Sequence, residues 1–254
     1  MNHVGTVSLV GAGPGDPELI TVRGRDRLAA ADVVICDDLA GKALLGYCRQ
    51  DAELIYVGKR CGQHSAAQEE IIELLLKHAR AGRRVVRLKG GDPFIFGRGG
   101  EELGALRQAD IPCEVVPGVT AAAAAGAVAG VPLTHREFSS AVVFLTGHEN
   151  PLKPETTVDW SAYAKLRATL CVYMGARRFA EIAEQLIAGG MPSDTAMAII
   201  SRASWPDQRI KFLTLADVPF LEHQEIAAPA LAIIGEVARL PAETRELAAI
   251  ASAI

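Results

Sequence analysis

Two glycine-rich stretches hold the residue types that could receive a small charged ligand. Val10-Gly-Ala-Gly-Pro-Gly-Asp16 places Gly11, Gly13 and Gly15 on alternate positions after a β-rich run. Its spacing is not the G-x-G-x-x-G of a dinucleotide loop, and Pro14 removes a backbone donor that a pyrophosphate would need. No G-x-x-x-x-G-K-[ST] loop is present, which excludes a P-loop nucleotidase. Asp16 and Pro17 also suit the start of a helix, so this turn alone leaves a ligand role and a purely structural one open. The second stretch is more informative: Lys89-Gly-Gly-Asp-Pro-Phe-Ile-Phe-Gly-Arg-Gly-Gly-Glu-Glu102 leaves a strand and carries charges at Lys89, Asp92, Arg98, Glu101 and Glu102. Glycines there let a ligand approach the backbone, and Phe94 and Phe96 gain nothing from a merely solvated turn. A third segment, Pro117-Gly-Val-Thr-Ala121, again joins a strand to a helix, with Thr120 able to cap that helix or bond a ligand.

The elements that must position these loops alternate. Strands are expected at Thr6–Val10, Val33–Cys36, Glu53–Val57, Arg84–Lys89 and Cys113–Val116. Helices are expected at Pro17–Ala30, Ser65–Arg80 (Ser65 and Gln68 forming a capping box), Glu101–Ala109 and the small-residue run Ala121–Ala129. Such alternation implies crossover connections and a mainly parallel sheet, with ligands at the strand C-termini. Around Pro132–Phe138 the pattern breaks and a second set begins. Its strands are Ala141–Thr146, Thr169–Met174, Ala196–Ile200, Ile210–Thr214 and Leu231–Gly235, with a helix at Phe179–Ala188 and a surface loop at Asn150–Glu155. The expected domains are 1–136, an N-terminal α/β domain, and 137–240, a C-terminal α/β domain; 241–254 is a helix-prone tail.

Composition bounds the function. Half of the 254 residues are hydrophobic and 22% are charged, which suits a packed globular protein. A net charge of −4 argues against a nucleic-acid partner. The five cysteines, Cys36, Cys48, Cys61, Cys113 and Cys171, form no C-x-x-C pair and read as reduced thiols rather than metal ligands. The most apolar run, Thr120 to Leu133, is too short and glycine-rich to span a membrane, and the N-terminus has no basic-then-apolar signal pattern. A cytoplasmic enzyme is the expectation.

Taken together, the motifs resemble the uroporphyrinogen-III C-methyltransferase family of the tetrapyrrole methylase superfamily. The matching segments are Gly11–Asp16, Val57-Gly-Lys-Arg60, Gln68-Glu-Glu-Ile71, Val86–Glu102, Pro117-Gly-Val-Thr120 and Pro132-Leu-Thr-His-Arg136. Thr146-Gly-His148, Tyr173-Met-Gly175 and Pro206-Asp-Gln-Arg209 continue the match, which runs in order over about residues 4 to 240. The Gly-Arg-Gly-Gly-Glu-Glu and Pro-Leu-Thr-His-Arg motifs are its most specific parts.

The resemblance implies the tetrapyrrole methylase fold: two αβα domains, the first with a mainly parallel sheet and the second with a mixed one, the active-site cleft between them. It implies a homodimer that takes methyl groups from S-adenosyl-L-methionine, releases S-adenosyl-L-homocysteine, and uses no metal. Its substrate would be uroporphyrinogen III, methylated at C-2 and C-7 to give precorrin-2 via precorrin-1, a precursor for sirohaem, cobalamin or haem d1. The implied cofactor contacts are Pro14, Gly90, Gly91, Asp92, Ile95, Thr120, Ala121 and Met174, with Ala203 nearby. Leu39 sets a register that makes Asp37 the proton acceptor, and Lys59 is the implied proton donor. A polycarboxylate substrate calls for cations, and Arg60, Arg98, Arg136, His135 and Glu101 (the last orienting Arg98) form the implied substrate set. By residue type alone Asp37 is simply a turn aspartate. Cys36 and Val128 stand where the family usually has tyrosines, and Ala203-Ser204-Trp205 where Gly-Thr-Thr is common. These departures leave open a later precorrin or a non-tetrapyrrole such as the diphthamide precursor as substrate. A ligand-binding regulator without turnover is the reading from another class.

Overall fold

The computed structural model describes residues 4–37, 40–58, 68–148, 158–222 and 225–241. Contacts divide the chain into two compact units, Met1–Ala121 and Ala122–Ile254.

The first unit is built on strands β1 (Thr6–Gly11), β2 (Val33–Cys36), β3 (Glu53–Tyr56), β4 (Arg84–Lys89) and β5 (Cys113–Val116). They form one sheet in the order β3-β2-β4-β1-β5, every pairing parallel. Helices cover both faces, which is why the central strands read as almost unbroken apolar runs. Val10, Val34, Val86 and Leu88 pack against Leu28 of α1 (Val22–Ala30) and Leu44 of a 3₁₀ turn. Val7, Leu9, Val33, Ile35 and Val85 pack on the other face against Ile71 and Leu75 of α2 (Gln68–Arg80) and Leu106 of α3 (Gly99–Gln108). From β1 the chain crosses toward β2, and from β4 it crosses the opposite way toward β5. The carboxyl ends of β1 and β4 therefore flank the switch point at which sheets of this kind leave a crevice.

One expected helix is two. Pro17–Leu19 is a 3₁₀ turn capped by Asp16, and Ile20 leaves it in an extended conformation. Thr21 then starts α1 by accepting from the backbone N–H of Gly24 at 3.1 Å. The Asp16-Pro17 signal does start a helical turn, but a second cap five residues after Asp16 outranks continuation. α3 begins at Gly99 rather than Glu101, because Arg98 takes a left-handed conformation (φ 58°) and turns the chain into the helix there. The capping box at Ser65 and the loop Asn150–Glu155 lie outside the described residues.

The second unit begins within α4 (Ala121–Ala129) and holds strands β6 (Val142–Thr146), β7 (Thr169–Tyr173), β8 (Ala196–Ser201), β9 (Arg209–Thr214) and β10 (Ala230–Ile234). Their order is β6-β7-β10-β8-β9, with β6 and β7 parallel and every other pairing antiparallel, so this sheet is mixed. Between the strands come a five-residue helix, α5 (Trp160–Ala164), and α6 (Phe179–Ala188). Phe179, Ile182, Ala183 and Leu186 share one side of α6 and pack on Leu170, Val172, Met197 and Ile199. Each of the larger of these side chains taken from water, Phe179, Ile182 and Leu186 among them, stabilises the unit by roughly 1.5–3 kcal/mol.

Candidate functional site

At the carboxyl edge of the first sheet, three loops are locked together through backbone. Ala12 N–H donates to the Lys89 carbonyl at 2.7 Å, while Gly13 and Gly91 exchange N–H···O bonds of 3.2 and 2.7 Å. A Cβ on Gly118 would stand 2.2 Å from the Gly91 carbonyl oxygen and 2.8 Å from the Gly11 Cα, so three backbones meet where no side chain fits. Gly91 differs: its φ is +66°, and the nearest atom to a Cβ there would be the Ala121 backbone nitrogen, 4.0 Å away. The side of Gly91 facing the start of α4 is open, a place for a ligand to lie on bare backbone. Pro14, Gly90, Gly91, Asp92, Ile95, Thr120 and Ala121 are all partly exposed around this edge. The Asp92 carboxylate is already used, accepting from Phe94 N–H at 2.8 Å and Gly118 N–H at 3.0 Å. It ties the second loop to the third.

Asp37 follows β2 on the same edge. Its Oδ2 accepts from Arg87 Nη2 at 3.3 Å, and its Oδ1 is buried without a hydrogen-bond partner among the described residues. Arg87 belongs to a buried ionic cluster. Its Nε donates to Glu102 Oε1 at 3.1 Å, and the same oxygen accepts from Lys89 Nζ at 2.9 Å and Gln68 Nε2 at 3.3 Å. Arg87, Lys89 and Glu102 are 3%, 4% and 0% exposed. Burial first, and then the neighbouring Arg87 charge, pulls the Lys89 ammonium below its ordinary range. Lys89 ends β4 and Glu102 lies in the first turn of α3, both facing inward.

Arg98 and Glu101 form an exposed bidentate pair, Nη2–Oε2 2.7 Å and Nε–Oε1 2.9 Å. Arg98 holds the Glu101 carboxyl below its ordinary range, mainly through that hydrogen bond. Phe94 and Phe96 are also exposed, 52% and 40%. Lys59 and Arg60 lie outside the described residues.

In the second unit the site residues fall into separate groups. β7 and β8 both run antiparallel to β10, so their carboxyl ends share one edge, where Met174 follows β7 and Ala203 follows β8. Met174 has φ 55° and is 52% exposed, and Ala203 lies between Arg202 and Ser204, also at positive φ. Three non-glycine residues in that region mark a backbone held by its surroundings. Thr146-Gly147 reaches the same edge, with Gly147 N–H donating to the Tyr173 carbonyl at 2.7 Å. The Tyr173 hydroxyl accepts from Ala122 N–H at 3.1 Å, holding the first turn of α4. His135 and Arg136 lie instead where β6 and β7 begin: Ser139 pairs with His135, and its hydroxyl donates to the Ala141 carbonyl at 3.0 Å. The His135 ring stacks on Phe138 with centroids 4.7 Å apart, and Arg136 is exposed.

Sequence reasoning passed over Arg87, Gln68 and Tyr173 as site-supporting residues. Arg87 and Lys89 alternate with apolar residues along β4, and two charges within a strand covered on both faces were the available signal. Cys113 and Cys171 are pushed up to about 11 and about 12 by burial, which makes them unreactive thiols. Among the described residues no group of His, Cys, Asp and Glu could hold a metal ion, and no helix is long and apolar enough to cross a membrane.

Residues 6–219 match the family described as Tetrapyrrole (Corrin/Porphyrin) Methylases. A siroheme synthase of Yersinia enterocolitica is 53% identical over 236 residues, covering 93% of this chain and 49% of that protein. The chain thus spans about half the length of that relative. An S-adenosyl-L-methionine-dependent uroporphyrinogen III methyltransferase of Methanosarcina barkeri is 47% identical and covers 94% of both chains. The crystal structure of the uroporphyrin-III C-methyl transferase of Thermus thermophilus, complexed with S-adenyl homocysteine, matches with a TM-score of 0.79 at 40% identity, covering 93% of this chain and 94% of that one.

Proposed function

This chain belongs to the tetrapyrrole (corrin/porphyrin) methylases, and from that premise we propose that it methylates uroporphyrinogen III at C-2 and C-7, giving precorrin-2 via precorrin-1. The observation that carries the reading is the open backbone at Gly91, where a side chain would meet nothing nearer than Ala121 N at 4.0 Å while the backbones of Gly11 and Gly118 are in contact. That is a cradle for a ligand, and the likeness to the Methanosarcina barkeri methyltransferase covers 94% of each chain. Pro14, Gly90, Gly91, Asp92, Ile95, Thr120, Ala121, Met174 and Ala203 are the proposed contacts of S-adenosyl-L-methionine. When bound, this sulfonium supplies an electrophilic methyl group for in-line displacement.

A pyrrole carbon that accepts a methyl group leaves positive charge on its ring. Asp37, at the end of β2, is the proposed carboxylate that stabilises this charge and takes up the ring proton, with Lys59 as proton donor. Arg98, Arg60 and Arg136 are proposed to bind substrate carboxylates, with His135 donating a hydrogen bond. Glu101 fixes Arg98: its bidentate pair holds the guanidinium in one plane. A homodimer, a cytoplasmic location and supply of precorrin-2 to sirohaem, cobalamin or haem d1 synthesis belong to the same proposal. The likeness to siroheme synthases favours the first of those routes.

Incubation of the purified protein with uroporphyrinogen III and a labelled methyl donor, without oxygen, tests the reading directly. Product mass should rise by two methyl groups. A labelled later precorrin with uroporphyrinogen III unchanged would move the protein elsewhere in the superfamily; no transfer to any tetrapyrrole would leave it a binding protein.

A further inference from the structure

Arg87 places every side of its guanidinium on a different partner. Nη1 donates to the Ile35 carbonyl at 3.3 Å and the Leu88 carbonyl at 3.1 Å, tying it to the backbones of β2 and β4. Nε is held by Glu102 and Nη2 by Asp37. Because the group is planar, bonds in three directions fix the fourth, which is the one pointing to Asp37. The surrounding layer is apolar, with Ile35, Ile71, Leu75 and Leu106 buried in it. Apolar residues of similar volume usually stabilise such a position at least as well as a buried ionic cluster does. The cluster therefore calls for a reason other than folding.

Charge supplies one. Arg87 and Lys89 carry two positive charges against the single negative charge of Glu102, and the Asp37 carboxylate is the fourth member that balances them. Arg87 holds Oδ2 at 3.3 Å, and Oδ1 is turned inward and buried, so the carboxylate sits in one orientation.

We propose that Arg87, braced by Glu102, is a positioning residue that fixes the orientation of the Asp37 carboxylate toward the reacting ring. This rests on the reading of Asp37 given above. Arg87→Lys keeps the charge and loses the fork; Glu102→Gln keeps the shape and loosens the brace. Each is made alone and combined with Asp37→Asn. Single-turnover methyl transfer, S-adenosylhomocysteine affinity, uroporphyrinogen III affinity and melting temperature are measured for all of them.

Arg87→Lys should slow the chemical step by roughly 10²-fold, the cost of a misplaced reacting group. Glu102→Gln should move the same rate in the same direction, and both ligand affinities should stay within about twofold of the parent. In the Asp37→Asn background the Arg87 substitution should have almost no further effect on rate, because the group it orients is gone. Equal losses in both backgrounds would overturn the proposal, as would a loss of ligand affinity in step with rate. A slow Asp37→Asn enzyme beside a full-rate Arg87→Lys one removes the positioning role and leaves Asp37 its own. A full-rate Asp37→Asn enzyme removes both. Should Arg87→Lys fail to fold, the Glu102→Gln pair of measurements decides on the same terms.

Discussion

Asp92 Oδ2 accepts from the backbone N–H of Gly118 at 3.0 Å, while its Oδ1 accepts from Phe94 N–H at 2.8 Å. One carboxylate thus joins the loop after β4 to the loop after β5. Asparagine keeps a single acceptor and turns an amide N–H toward the other donor. Asp92→Asn should therefore cost about 1.5–3 kcal/mol of stability, the usual worth of a hydrogen bond to a charged group. S-adenosylhomocysteine affinity should fall with it, since the loops proposed to hold the ligand would drift apart. Urea unfolding and calorimetric titration on the same preparation check both; unchanged affinity in a destabilised protein would show that the tie serves the fold alone.

Gly91 and Gly118 should fail in different ways. At Gly118 a methyl group meets the Gly91 carbonyl at 2.2 Å, and the clash is with backbone, which cannot move aside. Gly118→Ala should lose several kcal/mol or not fold. Gly91→Ala meets no atom within ordinary contact, and its cost is the left-handed φ of +66°, about 1–2 kcal/mol. Its methyl would occupy the open backbone proposed for the cofactor, so S-adenosylhomocysteine should bind at least about tenfold more weakly, an overpacking cost of 1–3 kcal/mol. Circular dichroism separates folding from binding. A folded Gly91→Ala protein with parent affinity would remove this loop from the cofactor site.

The glycine loops were legible because glycines that pack backbone on backbone cannot be replaced by other residues, and their spacing stands out. The parallel sheet was legible for a similar reason: apolar strands alternating with helices admit few arrangements. Arg87 and Lys89 were not, since alternation of charge with Val86 and Leu88 looks like a strand with one wet face. In a sheet covered on both faces there is none, and the charges had to find partners inside. Nor does local pattern report Tyr173, whose hydroxyl reaches Ala122 across 51 positions. α5, only five residues long, is too short for a helical period to register. Separation of His135 and Arg136 from Met174 and Ala203, at opposite ends of strands in one sheet, needed the sheet order itself.

Away from the site, Asp32 gives the first unit an acid-sensitive joint. Its Oδ2 accepts from the Arg84 backbone N–H at 2.9 Å, and its Oδ1 from Arg84 Nη2 at 2.7 Å and Arg49 Nη1 at 3.1 Å. The Arg84 side chain first, then its backbone N–H, holds this carboxyl well below its ordinary value of 3.8. The folded protein therefore keeps Asp32 ionised at pH values where the unfolded chain would protonate it. The stabilisation is complete above that ordinary value and is lost as pH falls below it toward the folded value. Asp32→Asn should cost about 1 kcal/mol at neutral pH, modest because the arginine partners are exposed and screened. The gap from the parent should narrow steadily below about pH 4, where the parent's unfolded chain binds a proton at Asp32 that its folded state does not. Urea midpoints at neutral pH and near pH 3 measure it, and a gap that widened on acidification would contradict the assignment.

Asp37 and Arg136 are proposed to divide chemistry from binding. Asp37 lies at the carboxyl edge of the first sheet with one oxygen held by Arg87 and the other buried without a partner among the described residues. If that carboxylate stabilises the charged ring and takes its proton, its contribution is confined to the chemical step. Asp37→Asn should then reduce single-turnover rate by roughly the 10²–10⁴-fold of a lost general base, with uroporphyrinogen III affinity little changed. Arg136 is exposed beside the stacked His135–Phe138 pair and is proposed to meet a substrate carboxylate. Arg136→Ala should weaken tetrapyrrole binding by about 1.5–3 kcal/mol, the worth of a charge-assisted hydrogen bond, and leave the rate at saturation nearly intact. S-adenosylhomocysteine affinity should be unmoved in both, because neither residue belongs to the glycine loops. Asp38→Asn is the internal control, since the register set by Leu39 gives the acceptor role to its neighbour. A full-rate Asp37→Asn enzyme beside a crippled Asp38→Asn one would shift that register by one residue. Full activity in both would take carboxylate catalysis away from the end of β2, and the proton would then have to leave through Glu101 or the substrate's own carboxylates.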